Sequence, residues 1–242
     1  MSAQSINTFD QIIRNNTQRI PDRIASRFDG SVVTYGALDL QLNRIVNALS
    51  GLGLAKGDRI AFLSRNSHIY IEGILTAARG GFVLTTLNFL LKPDELSYIL
   101  RHCGAQIIFF QPEFADAVDA IRPSCPELKY FISLGDPVDF AWDYSTFLVD
   151  ASDEELPVVV DKDDLLLLVY TSGTTGQPKG VMLNHRNVCT NVIDSARGAQ
   201  LSDDTVNLNV CPLYHVAAIV FQTLTTYYLG GTSVTLDRFD PV

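Results

Sequence analysis

Residues 170–181 read YTSGTTGQPKGV and follow directly on LLLLV at 165–169, an apolar run of strand length. Gly173, Gly176 and Gly180 open backbone conformations closed to other residues and let the chain approach a ligand closely. Thr171, Ser172, Thr174 and Thr175 add hydroxyls, the backbone adds N–H donors, and Lys179 adds a mobile cation. Together these are the parts of a polyphosphate cradle. A plain turn between strands has little use for four hydroxyls and a lysine at once.

The spacing is not that of a Walker loop. From Gly173 it runs GTTGQPKG, and a Walker loop needs glycine before the lysine and Ser or Thr after it, where Pro178 and Gly180 stand here. The hydroxyl that would ligate magnesium is therefore missing. A Walker loop also opens straight into a helix whose N-terminus faces the phosphates. Here VML at 181–183 reads as a second short strand, and a helical pattern begins only near Asn184, with Val188, Val192, Ile193 and Ala196 on one face. The loop is expected to join two strands.

The run resembles the signature of the adenylate-forming superfamily, which includes acyl-CoA synthetases, luciferases and the adenylation domains of peptide synthetases. The pattern YTSGTTGxPKGV is met at every fixed position. The resemblance implies that Thr171, Ser172, Gly173, Thr174, Thr175, Gly176 and Lys179 bind the phosphates of ATP.

The rest of the chain fits the same family in order. PDRIA at 21–25 and Thr34-Tyr35 resemble its opening segment. They precede a helix with the stripe Leu38, Leu42, Ile45, Val46 and Leu49. Gly51, Gly53 and Gly57 miss the GxGxxG spacing and follow a helix instead of a strand, so a helix end and turn is their expected role. Residues 60–63 read as a strand, 66–80 as a helix, and Leu87-Asn88 followed by Pro93-Asp94-Glu95-Leu96 as the opening of another helix that ends near Cys103. QIIFF at 106–110 and KYFIS at 129–133 read as strands. This alternation predicts an α/β fold, part of the large N-terminal domain of an adenylate-forming enzyme, with helices packed on mainly parallel sheets. Residues of about 135–164, with prolines, Trp142 and the acids Asp150, Asp153, Glu154 and Glu155, are expected to form a solvated excursion. They lack the spacing of a calcium loop, and no metal site is expected.

A second constellation, PLYHVAA at 212–218, follows the strand-like 206–210. It resembles the next motif of the superfamily, which implies that Tyr214 and His215 line the acyl pocket near the carboxylate. An imidazole suits that place because its charge changes near neutral pH. Some long-chain relatives carry a bulky aromatic gate four residues after the histidine. Ile219 stands there, which leaves chain length open, while the apolar residues 216–221 favour a hydrocarbon-bearing acid or simply a core helix. His68, His102 and His185 have no comparable support.

The 242 residues carry a formal charge of −9 and are 47% hydrophobic, ample for a core and adverse to nucleic acid or anionic membrane as a general partner. No stretch is long enough to span a bilayer, residues 1–10 are polar, and Cys103, Cys125, Cys189 and Cys211 form no CxxC pair. Buried, reduced thiols in a cytoplasmic protein are expected. The family's aromatic-Gly-x-Thr-Glu segment, its Thr-Gly-Asp segment and its C-terminal adenylation lysine have no copy here. The expectation is that residues 1–242 are a partial N-terminal domain, inactive alone, whose magnesium ligand and remaining domains lie elsewhere in a longer enzyme. The resemblance implies that this enzyme joins a carboxylic acid to coenzyme A through an acyl-adenylate made from ATP. The alternatives are a non-catalytic nucleotide-binding or interaction module, or an adenylation domain of the peptide synthetase or luciferase-like branch.

Overall fold

The structure, a computed structural model, describes residues 8–171 and 176–238. Helix α1 (Phe9–Arg19) leads to β1 (Ile24–Phe28), β2 (Ser31–Thr34) and α2 (Tyr35–Gly51). Next come β3 (Arg59–Leu63), α3 (His68–Gly80), β4 (Val83–Thr86), α4 (Pro93–Cys103), β5 (Ala105–Phe110), α5 (Ala115–Ile121) and β6 (Tyr130–Ser133). The short β7 (Trp142–Asp143) and α6 (Tyr144–Leu148) precede β8 (Leu165–Thr171), β9 (Lys179–Asn184) and α7 (His185–Gly198). After β10 (Val206–Asn209), a π-helical segment (Ala217–Leu224) runs into α8 (Thr225–Leu229) and β11 (Thr232–Thr235).

The main sheet has the order β7-β6-β5-β3-β4-β8-β9 and is parallel except for the antiparallel pair β8 and β9. Its central strands are mostly apolar because both faces are covered. Side chains alternate across a strand, so Ile60, Phe62, Ile107 and Phe109 join the core beneath α1, α2 and α3, while Ala61, Leu63, Ile108 and Phe110 join a second core beneath α4 and α5. A smaller sheet, β10-β11-β1-β2, pairs β1 in parallel with β11 from the far end of the chain.

Local chemistry sets the helix limits. The expected start of α3 at residue 66 moves to 68, because the Ser67 hydroxyl accepts the Tyr70 N–H at 3.1 Å and caps the helix there. Gly53 and Gly57 have φ of +85° and +90° in the turn after α2, the role the sequence suggested. All five residues of the α2 stripe are buried. Cys103, Cys125 and Cys189 are buried as expected, but Cys211 is exposed, because it lies in the turn after β10 outside both cores.

The excursion at 135–164 is more ordered than a solvated loop. It contains β7 and α6, and Phe109 packs edge-on against Tyr144 and Phe147 of α6. Its acidic end is tied to the helices. Arg14 pairs with Glu155 at 2.6 Å, Arg44 pairs with Asp153 at 3.1 Å, and the Asn43 and Asn47 amides donate to the carbonyls of Asp153, Ser152 and Glu154. These amides satisfy backbone groups that a loop would otherwise leave to water.

Under this contact lies Glu72 of α3, buried, accepting hydrogen bonds from the Tyr144 hydroxyl at 2.8 Å and from the Gln41 amide at 3.4 Å. Burial pushes its carboxyl up to about 7 against the opposing pull of these two donors. The unfolded carboxyl titrates in the ordinary range, so the stability is complete below that range and is lost as pH rises through about 7. Ionised Glu72 should cost on the order of 3 kcal/mol at pH 8. Thermal unfolding as a function of pH should therefore show Glu72→Gln melting above the wild type at pH 8, with the gap closing towards pH 4. Parallel profiles would place the titration elsewhere.

Candidate active site

The signature occupies the β8–β9 hairpin. The ladder pairs Leu167 with Leu183, Val169 with Val181, Tyr170 with Gly180 and Thr171 with Lys179. Thr171 and Lys179 thus face one another at the mouth of the loop, and both are exposed. Gly176 has φ +96°, with open space where a Cβ would stand. Ser172, Gly173, Thr174 and Thr175 lie outside the described residues. A cation, a hydroxyl and a left-handed glycine at the end of a strand pair fit a polyphosphate.

The hairpin borders a cavity of about 430 Å3. Tyr170, Thr171, Gly176 and Pro178 form one wall, and Thr86, Asn88, Glu95 and Ile99 form a second. Tyr214, His215 and Val216 close it. The two motifs, more than thirty residues apart in sequence, therefore share one space. The Thr86 hydroxyl donates to the Tyr214 carbonyl at 3.0 Å, and the Phe89 ring meets the Tyr214 ring edge-on at 5.1 Å. Burial raises the pKa of the Tyr214 phenol, which therefore keeps its proton at neutral pH. His215 is exposed, in the turn that precedes the π-helical segment, and its N–H donates to the Pro212 carbonyl at 3.0 Å. Ile219 does not reach this space. It is fully buried within the core beneath the segment.

Three wall residues had little voice in the sequence. Thr86 falls in a stretch that the sequence reading leaves unassigned, Asn88 and Glu95 read only as parts of a helix opening, and the Glu95 carboxylate indeed accepts the Lys92 N–H at 2.9 Å. His102 also gains a place. Its Nδ1 stands 2.6 Å from the Tyr170 hydroxyl, and burial raises the pKa of that phenol so that it stays protonated. His185 is structural: it is buried, its Nδ1 accepts the Phe9 N–H at 3.1 Å, and burial lowers its pKa to about 4. Among the described residues no three His, Cys, Asp or Glu side chains gather to hold a metal ion, the acidic residues at 150–155 included. No helix among them is long and apolar enough to cross a membrane.

A mainly parallel sheet ending in a glycine and hydroxyl hairpin, with a Tyr-His turn across the cavity, defines the N-terminal α/β domain of an adenylate-forming enzyme. The chain belongs to the AMP-binding enzyme family, whose profile matches residues 13–242. It is 34% identical over 222 residues to a feruloyl-CoA synthase of Amycolatopsis sp, covering 91% of this chain and 42% of that protein. It is 32% identical over 213 residues to a long-chain-fatty-acid–CoA ligase of Thermus thermophilus, covering 86% and 38%. The crystal structure of the N-terminal domain of FACL13 from Mycobacterium tuberculosis superposes with a TM-score of 0.87 at 27% identity, over 96% of this chain and 58% of that one. The chain thus spans about two fifths of the length of these two curated relatives.

Gly180 offers a direct check on the hairpin. A Cβ there would stand 2.9 Å from Leu168 Cδ1 and 3.2 Å from the Tyr170 ring. Gly180→Ala should displace the Leu168 methyl and crowd the Tyr170 ring, at a cost of about 1 kcal/mol measurable as a lower denaturant midpoint. An unchanged midpoint would mean that the ring moves freely.

Proposed function

We propose that this chain is the phosphate-binding and acid-binding part of an ATP-dependent acid–thiol ligase. The observation that carries the reading is the shared cavity: the phosphate-loop hairpin and the Tyr214-His215 turn open onto the same space. In the proposed reaction a carboxylate oxygen attacks the α-phosphorus of ATP, forming an acyl-adenylate and releasing pyrophosphate. The thiol of coenzyme A then attacks the acyl carbon and expels AMP, giving the thioester. The attacking acid is already ionised at neutral pH, so the first step needs no general base.

The residues divide the work by chemistry. Thr171, Lys179 and the backbone at Gly176 would hold the β- and γ-phosphates and take up the charge that develops as pyrophosphate leaves. Ser172, Gly173, Thr174 and Thr175 belong to the same proposal by sequence. Tyr214 and His215 would flank the carboxylate, with the protonated phenol as donor. Magnesium would arrive with the polyphosphate. Apolar wall residues such as Ile99 and Val216 suit a hydrocarbon-bearing acid, and a fatty acid is the first substrate to test. The two relatives named above, one for an aromatic acid and one for a long-chain acid, support that breadth.

The test is acid-dependent exchange of pyrophosphate into ATP, in the enzyme at the full length of its relatives. Lys179→Ala should lower kcat/KM for ATP about 100-fold with little change in melting temperature. An unchanged rate would make Lys179 a strand-end residue and nothing more. Screening carboxylic acids with ATP and coenzyme A in the same preparation reads out the acyl class. Thioester formation with none of them would overturn the ligase reading.

A further inference from the structure

We infer that Asn66 is a positioning residue for the acid-binding turn, fixing where Tyr214 and His215 stand. Asn66 sits in the loop after β3, is 5% exposed, and spends both ends of its amide on one distant segment. Its Nδ2 donates to the Cys211 carbonyl at 3.0 Å, and its Oδ1 accepts the Leu213 N–H at 2.8 Å. These two backbone groups flank Pro212, which has no N–H of its own to anchor the turn. The carboxamide thus spans the proline, holding the chain on either side of it.

The next residue is held by the other wall. Thr86, at the end of β4, donates to the Tyr214 carbonyl at 3.0 Å, and both groups are buried. Asn66 and Thr86 follow or end neighbouring parallel strands, β3 and β4, so the rigid sheet fixes their spacing. The turn between β10 and the π-helical segment belongs to neither strand, yet three consecutive anchors reach it: the carbonyl of 211, the N–H of 213 and the carbonyl of 214. His215, one residue further, makes no side-chain hydrogen bond of its own among the described contacts, so its place in the cavity follows from these anchors.

The functional half of the inference rests on reading the cavity as the acid site; the anchoring half does not. Asn43 supplies the control. It is also buried, its amide also donates to a distant carbonyl, that of Asp153 at 3.0 Å, and it lines no part of the cavity. Both experiments use the enzyme at the full length of its relatives. Hydrogen exchange at the Leu213 amide should quicken about tenfold in Asn66→Ala, the factor that loss of one buried hydrogen bond implies. It should stay slow in Asn43→Ala. In steady-state assays Asn66→Ala should raise KM for the acid about tenfold, leaving KM for ATP near the wild type, while Asn43→Ala lowers only the melting temperature.

Unchanged Leu213 exchange in Asn66→Ala would overturn the anchoring itself. Faster exchange with an unchanged KM for the acid would overturn the positioning role and leave the ligase reading intact. Equal effects of Asn66→Ala and Asn43→Ala on KM would reduce Asn66 to general stability. If even the wild type activates no acid, the ligase reading fails, and with it the functional half, while the exchange comparison still decides whether Asn66 holds the turn.

Discussion

The antiparallel pairing of β9 with β8 is the constraint on which the site depends. Every other junction in the main sheet is parallel, and a parallel neighbour can be reached only through a crossover that carries the chain away from the strand end. An antiparallel neighbour returns at once. The backbone ladder therefore delivers Lys179 opposite Thr171, and the cation reaches the loop mouth by main-chain hydrogen bonds before any side chain chooses a rotamer. Gly180, opposite Tyr170, leaves room for the Tyr170 ring, which continues from the ladder into the cavity wall. One change of strand direction thus places the signature hairpin and one wall of the cavity together.

The electrostatic background sharpens this placement. The chain is strongly acidic, and several of its arginines are committed to structure. Arg79, 3% exposed, binds Asp10 at 2.9 Å, Asp39 at 2.5 Å and the Asn43 side chain at 2.8 Å, joining α1, α2 and α3. Arg59 donates to the carbonyls of Cys103 and Gly104 at the end of α4. A buried guanidinium of this kind is held by several partners because leaving one charge unmatched in the interior costs several kcal/mol. Lys179 has the opposite environment, exposed at the rim of the loop, with no ion pair among the described residues.

Where the sequence speaks clearly, one physical signal dominates. Runs such as QIIFF and LLLLV are buried on both faces and read as strands, the α2 stripe has the helical period, and the glycine signature needs a hairpin. The second sheet is quieter. In β1 the residues Ser26 and Arg27 break any apolar alternation, and Ser26, Asn209 and Ser233 are buried polar groups, the last two satisfied by a hydrogen bond of 2.7 Å between them. One of the two partners of β1 in this sheet, β11, lies some two hundred residues away, and no local pattern announces such a pairing. The same holds for the site. Asn66 and Thr86 work through backbone groups far along the chain, and a polar residue in a loop or strand end looks the same whether or not it finds such a partner.

Ile219 shows how a count along the chain can mislead where a helix starts at the rim of a core. The segment after His215 is π-helical, and its wider turn is supported from within: Thr223 donates to the Ala218 carbonyl and Thr225 to the Val220 carbonyl, both at 2.9 Å and both five residues back. Ala218, Ile219 and Val220 are buried together, Phe221 is 52% exposed, and burial resumes at Thr223 and Leu224. In an α-helix, positions three and four apart share a face. The step from His215 to Ile219 is itself of the α kind, with the Ile219 N–H donating to the His215 carbonyl at 3.2 Å, yet it leads from the cavity rim into the core, and Val216 is the residue next to His215 that lines the cavity. Ile219 shares a core with Leu213 of the turn that Asn66 and Thr86 hold, so on the proposed reading it would act on the acid only through that packing.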